Sequence, residues 1–104
     1  MPTEQYHEPP QELPQKVRTY ARMITSLIEE AEAIGWYTQR IALEKDGQAK
    51  AIMQNALKEE YKHFGMDLEF LLRKTPIWRK EFKAILFSTG DIVKRGEKAE
   101  DEAD

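Results

Sequence analysis

The 104-residue chain contains no cysteine, and no long apolar run interrupts its polar composition. The absence of thiols excludes disulfides, zinc sites with thiolate ligands and iron–sulfur clusters, and it is typical of proteins from reducing compartments. No apolar run reaches the roughly 18 residues of a membrane span, and the first residues contain no stretch suited to a signal peptide. We therefore expect a cytoplasmic protein with no membrane partner.

An excess of positive charge is also missing. The formal net charge is -3 and the isoelectric point is near 5.5. Lysine and arginine are scattered along the predicted helices and do not cluster into a basic patch, so we expect no nucleic-acid partner. A chain of this length builds only a small hydrophobic core, and self-association is the expected way to enlarge it.

Proline marks the ends of the helical region. Four of the five prolines lie in residues 1–14, which we expect to be disordered. Lys45-Asp46-Gly47 is predicted to break the helical pattern once, and Thr75-Pro76 to break it again. The sequence therefore predicts an all-α domain over residues 15–90, with helices at 15–45, 48–74 and 76–87, and a disordered acidic tail at 91–104.

The first two predicted helices form an antiparallel pair, because the loop between them is short. The first helix carries apolar residues on three sides, which favours contacts with more than one neighbouring chain. Glu30 lies 16 residues before Asp46, whereas Glu60 and His63 lie 14 and 17 residues after it. At about 1.5 Å per residue, the three side chains stand roughly 21 to 26 Å from the turn, at one level of the hairpin.

Glu60 and His63 interrupt an apolar face of the second helix. That face carries Ile52, Ala56, Glu60, His63, Asp67 and Phe70. A carboxylate there needs a counter-charge or a metal, because burying it alone is costly. Glu-x-x-His is the ligand pair that two helices of a di-iron four-helix bundle supply, the other two helices giving one Glu each.

This chain contains the Glu-x-x-His pair once and therefore provides half of such a ligand set: Glu30, Glu60 and His63. A twofold dimer would supply the other half, because each residue then lies opposite its own copy. Asp67, one turn beyond His63, is predicted to accept a hydrogen bond from the second ring nitrogen. A non-catalytic alternative remains open: a helical adaptor in which Lys or Arg from a neighbour pairs with these groups.

Four stretches carry a resemblance to a known family: residues 28–40 (IEEAEAIGWYTQR), 55–63 (NALKEEYKH), 66–70 (MDLEF) and 86–87 (LF). Over about residues 15–90 the chain resembles the encapsulated ferritins. The resemblance implies a two-helix half-ferritin with a short third helix, which completes a four-helix ferritin-like bundle by dimerisation. It further implies a ring of ten chains that acts as a ferroxidase.

The resemblance also implies a role for particular residues. Glu30, Glu60 and His63 would bind iron directly, two ions per dimer, with Trp36 and Tyr37 beside the centre. Glu29 and Glu32 would form the path by which metal reaches it, and calcium or other divalent metals would compete at these positions. The implied partner is an encapsulin shell, whose interior would store the iron.

Two features bear on these expectations. The family's apolar targeting peptide has no counterpart in residues 97–104, and Asp67 stands where the family leads us to expect a small neutral residue. A rubrerythrin-like peroxidase, which uses the same kind of centre with peroxide as the oxidant, is a second alternative.

Overall fold

The computed structural model describes residues 4–103, and all four of its long elements are α-helices. They are α1 (Gln15–Leu43), α2 (Gly47–Lys74), α3 (Pro76–Ile85) and α4 (Ile92–Ala103). The prediction of an all-α fold built on a hairpin of two long helices is confirmed, and the predicted bounds of α1 and α2 differ from the observed ones by at most two residues.

The segment before α1 contains a single turn of 3-10 helix, Pro10–Glu12. We predicted this segment to be disordered, but it contains regular structure. Residues 1–3 lie outside the described part of the chain. Pro14 precedes α1 with extended backbone, and its carbonyl accepts hydrogen bonds from the N–H groups of Val17 and Arg18. The proline sets the start of α1, because its ring keeps the preceding residue, Leu13, in extended backbone.

Three residues join α1 to α2, and their polar side chains determine the turn. The Glu44 carboxylate accepts hydrogen bonds from the N–H groups of Lys45 and Asp46, at 3.2 and 3.0 Å. Oδ1 of Asp46 then accepts from the N–H of Ala49 at 2.9 Å, which caps the first turn of α2. So short a connection makes α1 and α2 antiparallel.

The chain divides into two compact units, Met1–Glu69 and Phe70–Asp104. In the first unit no described residue is fully buried, and α1 has none along its 29 residues. Several large apolar side chains are more than half exposed: Trp36, Leu43, Ile52, Tyr61 and Met66. Two helices alone cannot enclose a core, so this hairpin does not bury all of its own apolar surface.

The second unit holds the buried residues of the described chain, Leu71, Leu72 and Ala99. Helices α3 and α4 pack against each other. Within α3, the rings of Trp78 and Phe82 meet edge to face, with their centres 5.5 Å apart. Edge-to-face contact of this kind stabilises aromatic pairs beyond the area they bury.

Helix α4 corrects one prediction: the tail expected to be disordered forms a helix at Ile92–Ala103. Oδ1 of Asp91 accepts a hydrogen bond from the N–H of Lys94 at 3.0 Å, which caps this helix. Ala99 of this helix is buried, and α4 packs against α3, which the charged composition did not suggest. Helix α3 ends at Ile85, two residues earlier than predicted, and Phe87 and Gly90 in the following turn have positive φ.

Across residues 4–103, none of the helices combines the length and apolar character that a bilayer crossing requires.

Candidate metal centre

Three metal-ligating side chains converge in the middle of the hairpin. Glu30 comes from the centre of α1, and Glu60 and His63 come from successive turns of α2. Each offers one ligand atom, and these atoms all lie within 4.8 Å of one another. The residues predicted to share one level of the hairpin are thus brought together by the structure.

The carboxylate and the imidazole of this cluster are not bonded to each other. Nδ1 of His63 lies 4.0 Å from Oε1 of Glu60, beyond hydrogen-bonding distance. The His63 side chain is 42% exposed and that of Glu60 is 23% exposed. Their lone pairs are therefore available to a cation that approaches from the open side of the hairpin.

A shallow pocket of about 310 Å³ lies over the cluster. Its lining residues are Ser26, Glu29, Glu30, Ala33, Glu60 and His63. Of the two residues predicted on the metal path, Glu29 borders this pocket. Glu32 is exposed and lies two residues beyond Glu30, about 200° further round the helix, which turns it away from the pocket within one chain.

The small side chains of Ser26 and Ala33 were not singled out from the sequence. They stand one turn before and one turn after Glu30 on α1, and they leave the pocket above its carboxyl group open. The signal that could have identified them is a small residue on each side of an acid within an apolar stripe.

Glu30 is the most electrostatically perturbed residue of the site. Burial raises the pKa of its carboxyl group to about 7, and a hydrogen bond to Asp67 and the negative charges of Asp67, Glu60 and Glu29 add to the effect. Oε2 of Glu30 and Oδ2 of Asp67 are both buried without a hydrogen-bond donor. Asp67 therefore interacts with Glu30 across the hairpin.

This arrangement suits a hard metal cation. Carboxylate oxygens and one imidazole nitrogen are the ligands that iron, manganese and similar ions prefer. Two buried carboxyl oxygens without a donor are costly in the absence of a counter-charge, and a bound cation would supply that charge. The donors of one chain are few, so a cation held here would have open positions on its exposed side.

Glu59, next to Glu60 in the sequence, takes no part in the cluster. Its carboxylate forms an ion pair with Nζ of Lys62 at 2.7 Å on the exposed side of α2. The hydrogen bond and positive charge of that lysine lower the pKa of Glu59. This pair is solvated and separate from the cluster of Glu30, Glu60 and His63.

The aromatic residues predicted beside the centre lie further along α1. Trp36 is 52% exposed and borders a separate shallow pocket of about 280 Å³ with Gln39 and Arg40. Tyr37 is half-buried, with the Arg40 guanidinium 5.6 Å from its ring centre. Neither residue borders the pocket over the cluster, and Tyr37 stands seven residues, about 10 Å, along the axis from Glu30.

The hairpin resembles known proteins in sequence and in fold. A family model described as EncFtn-like matches residues 5–89. A ferritin-like protein of Thermotoga maritima is 40% identical over 90 residues, covering 86% of this chain and 79% of that protein. An encapsulated ferritin-like protein of Rhodospirillum rubrum is 36% identical over 87 residues, covering 84% of this chain and 62% of that protein. The crystal structure of protein ne0167 from Nitrosomonas europaea superimposes with a TM-score of 0.81 at 42% identity, covering 84% of this chain and 96% of that one.

Proposed function

The chain belongs to the EncFtn-like, or encapsulated ferritin, family, and from that premise we propose that it is a ferroxidase whose iron centre forms between two subunits. The observation that carries the proposal is the convergence of Glu30, Glu60 and His63 within 4.8 Å on an open face of the hairpin. Ferritin-like di-iron proteins use two Glu-x-x-His pairs and two further Glu residues. One chain supplies half of that set.

Dimerisation completes the site. A twofold contact places each ligand group opposite its copy, so two chains together provide four carboxylates and two imidazoles for two iron ions. The lack of a fully buried residue in α1 supports such a contact, because a second hairpin would cover the same apolar face. The two hairpins would then form a four-helix bundle with the metals at its centre.

The reaction balances with iron as the substrate. Two ferrous ions lose one electron each, and dioxygen takes both electrons and two protons to become hydrogen peroxide. The carboxylates of Glu30 and Glu60 favour the ferric ion, because hard oxygen ligands bind the more highly charged ion more strongly. His63 donates a neutral nitrogen and helps to retain the ferrous ion before oxidation.

Further assembly extends the proposal. We propose that the dimers join into a ring, a decamer in the family pattern, in which Trp36, Tyr37 and Glu32 of neighbouring hairpins approach the centre. The relative from Rhodospirillum rubrum is named as encapsulated, and on that basis we propose an encapsulin shell as partner and storage of ferric iron inside it. Calcium and other divalent ions would compete for the same carboxylates.

Ferrous oxidation in air tests the activity. Ferrous iron is mixed with the assembled protein, and the rise in near-ultraviolet absorbance is followed for the wild type, Glu60→Ala and His63→Ala. We expect both variants to lose the rapid phase, because each removes a ligand from every half-site. Glu100→Ala, on the exposed side of α4, is the matched control and should retain the wild-type rate.

The same assay separates the alternatives. Wild-type turnover in both ligand variants would contradict the ferroxidase and favour an adaptor without catalysis. Repeating the measurement without oxygen and with hydrogen peroxide distinguishes the oxidants, since a peroxidase would oxidise iron faster under those conditions than in air.

A further inference from the structure

One side of α1 carries apolar and small residues at alternating spacings of four and three. The series, which we call the α1 stripe, is Val17, Ala21, Ile24, Ile28, Ala31, Gly35, Thr38 and Ala42. This spacing is that of the two core positions of a coiled-coil heptad, sustained from residue 17 to residue 42. Ile28 and Gly35 lie about 140° to 160° round the helix from Glu30, so the α1 stripe lies on a different side of α1 from the metal-ligating cluster.

The side chains of the α1 stripe, all within the described part of the chain, leave no polar group unsatisfied. Thr38 supplies the one hydroxyl of the series, and that hydroxyl donates a hydrogen bond to the carbonyl oxygen of Ile34 at 2.7 Å. Val17 is 40% exposed, and Ala31 and Ala42 are exposed as well. A helix face of this kind is typical of a surface that packs against a second helix.

Gly35 indicates how closely that second helix approaches. Glycine is unfavourable inside a helix, and it is typically found there where another backbone comes near. Apart from its own helix backbone, no described atom lies within 4 Å of the position that a Cβ of Gly35 would occupy. The space beside Gly35 is therefore open to a helix of another molecule.

We propose that the α1 stripe packs against the α1 stripe of a second copy of this chain, antiparallel and about a twofold axis. The inference goes beyond the proposed iron centre and does not rest on it. In the register that aligns the two series end to end, each layer joins two different residues: Val17 with Ala42, Ala21 with Thr38, Ile24 with Gly35, and Ile28 with Ala31.

Residue size favours the antiparallel direction. In each of the four layers the larger side chain of one copy lies opposite the smaller side chain of the other, so the two helices can keep one spacing along their length. A parallel pair would place Ile24 against Ile24 and Gly35 against Gly35. Such a pair would be crowded in its first half and would contain voids in its second half.

Charge along α1 favours the same direction. Residues 15–28 contain three basic residues and no acidic one, whereas residues 29–43 contain three acidic residues and one basic residue. An antiparallel pair places the basic half of each helix beside the acidic half of the other, and a parallel pair would align like charges. The helix is therefore complementary to its own antiparallel copy in size and in charge.

This contact needs no metal, because the α1 stripe and the metal ligands lie on different sides of α1. A chain with two different twofold contacts uses each of them to bind a different neighbour. Pairing through the α1 stripe should therefore persist when chelator removes all metal.

The absence of cysteine from the chain makes the register testable by crosslinking. Full-length Ile24→Cys and Gly35→Cys proteins are co-expressed, one with an affinity tag, purified in chelator and treated with a short bismaleimide. Mixed dimers are recognised by mass. The control is Gly96→Cys, at a glycine of α4 whose Cβ position is also open, co-expressed with Ile24→Cys.

We expect a crosslinked mixed dimer from Ile24→Cys with Gly35→Cys, and none from the control. Either protein alone should give no crosslinked dimer, because its two thiols would lie 11 residues, roughly 16 Å, apart along the axis. A crosslinked dimer from Gly35→Cys alone would indicate a parallel pair. The lack of a mixed dimer would mean that something other than a second copy covers the α1 stripe, and either result would overturn the proposal.

A size swap tests the same register without cysteine. Gly35→Leu places a leucine opposite Ile24 in two layers of the pair and should raise the dissociation constant of the metal-free dimer about thirtyfold or more. Within its own chain the new side chain enters open space, and leucine favours the helix, so circular dichroism should show a folded protein.

Adding Ile24→Ala to Gly35→Leu restores one large and one small residue in each layer. The double variant should recover a dissociation constant within about tenfold of the wild type, measured by sedimentation equilibrium in chelator. Wild-type association of Gly35→Leu, or no recovery in the double variant, would overturn the register. A protein that pairs in this way but leaves ferrous iron unoxidised would refute the ferroxidase alone.

Discussion

Glu30 on α1 and Asp67 on α2 form a carboxyl–carboxyl contact across the hairpin, and each has an oxygen that is buried without a donor. Two acids in contact repel when both are ionised, so the metal-free chain keeps a proton between them or pays an electrostatic cost. A metal ion removes the conflict, because its charge satisfies both groups. The predictions below follow from this arrangement and from the open hairpin around it.

The first prediction concerns pH and stability without metal. Burial raises the pKa of Glu30 to about 7 in the folded chain, above its ordinary value of 4.5. The folded state therefore holds a proton that the unfolded state has released, and this stabilising contribution is complete at low pH and lost as pH rises through about 4.5 to 7. Urea denaturation in the presence of chelator should show it as a falling free energy of unfolding across that interval.

Glu30→Gln is the control for the pH dependence. The amide does not titrate, so the difference in unfolding free energy between the variant and the wild type should change across the same interval. An identical slope in the two proteins would assign the pH dependence to other groups.

The second prediction links metal to assembly. If cobalt(II) or ferrous iron bridges two chains, metal at about 100 times its dissociation constant should stabilise the assembled form by about 2.7 kcal/mol. Sedimentation velocity should then show dissociation on addition of chelator and recovery when metal is restored. The assembly of His63→Ala should not change on addition of chelator or of metal. If the wild-type assembly also changes with neither, the metal does not bridge two chains.

The third prediction concerns the path of metal to the pocket. Glu29 is exposed and borders the pocket over the cluster, whereas Glu32 faces another side of α1. Glu29→Gln should raise the ferrous concentration needed for half-maximal oxidation about twofold to fivefold and leave the maximal rate unchanged, because a surface charge attracts the ion without binding it in the centre. The measurement is initial rate against iron concentration.

Glu32→Gln extends that experiment to the assembled protein. Within one chain Glu32 does not border the pocket. A similar rise in the half-saturating iron concentration for Glu32→Gln would therefore show that Glu32 of a neighbouring chain lies near the pocket. A change in maximal rate for Glu29→Gln would instead place Glu29 among the iron ligands.

The fourth prediction tests the turn that holds the hairpin in register. Asp46→Ala removes the acceptor for the Ala49 N–H and should lower the free energy of unfolding by about 1 kcal/mol. Asp46→Asn keeps an acceptor and should retain most of that stability. Both variants should bind cobalt(II) as the wild type does, since the turn lies roughly 21 to 26 Å from the cluster. If Asp46→Ala is as stable as the wild type, the backbone and not the Asp46 side chain stabilises the turn.

Local sequence signals predicted most of the helical architecture. Pro14, Asp46 and Pro76 act on the neighbouring backbone, so their effects on helix starts do not depend on distant residues. The tail was predicted incorrectly because its charged residues outnumber the apolar ones. Its helix depends on the Asp91 cap together with the burial of one small residue, Ala99.

The candidate cluster was predictable for the same physical reason as the hairpin. The helical rise is constant, so counting from Asp46 placed Glu30, Glu60 and His63 at one level, and the structure brings them together. Counting along an axis does not determine how each helix is rotated toward the other. For that reason the sequence alone did not pair Asp67 with Glu30, and it treated Glu29 and Glu32 alike.

The amino-acid sequence by itself determined where the long helices begin and end and which three ligands share a level, because backbone geometry and capping act over a few residues. Only the tertiary structure decided that Asp67 contacts Glu30, that Glu29 and not Glu32 borders the pocket, and that the last segment forms a helix. Those outcomes depend on how helices are rotated and packed against one another, which is set by the fit of many side chains at once.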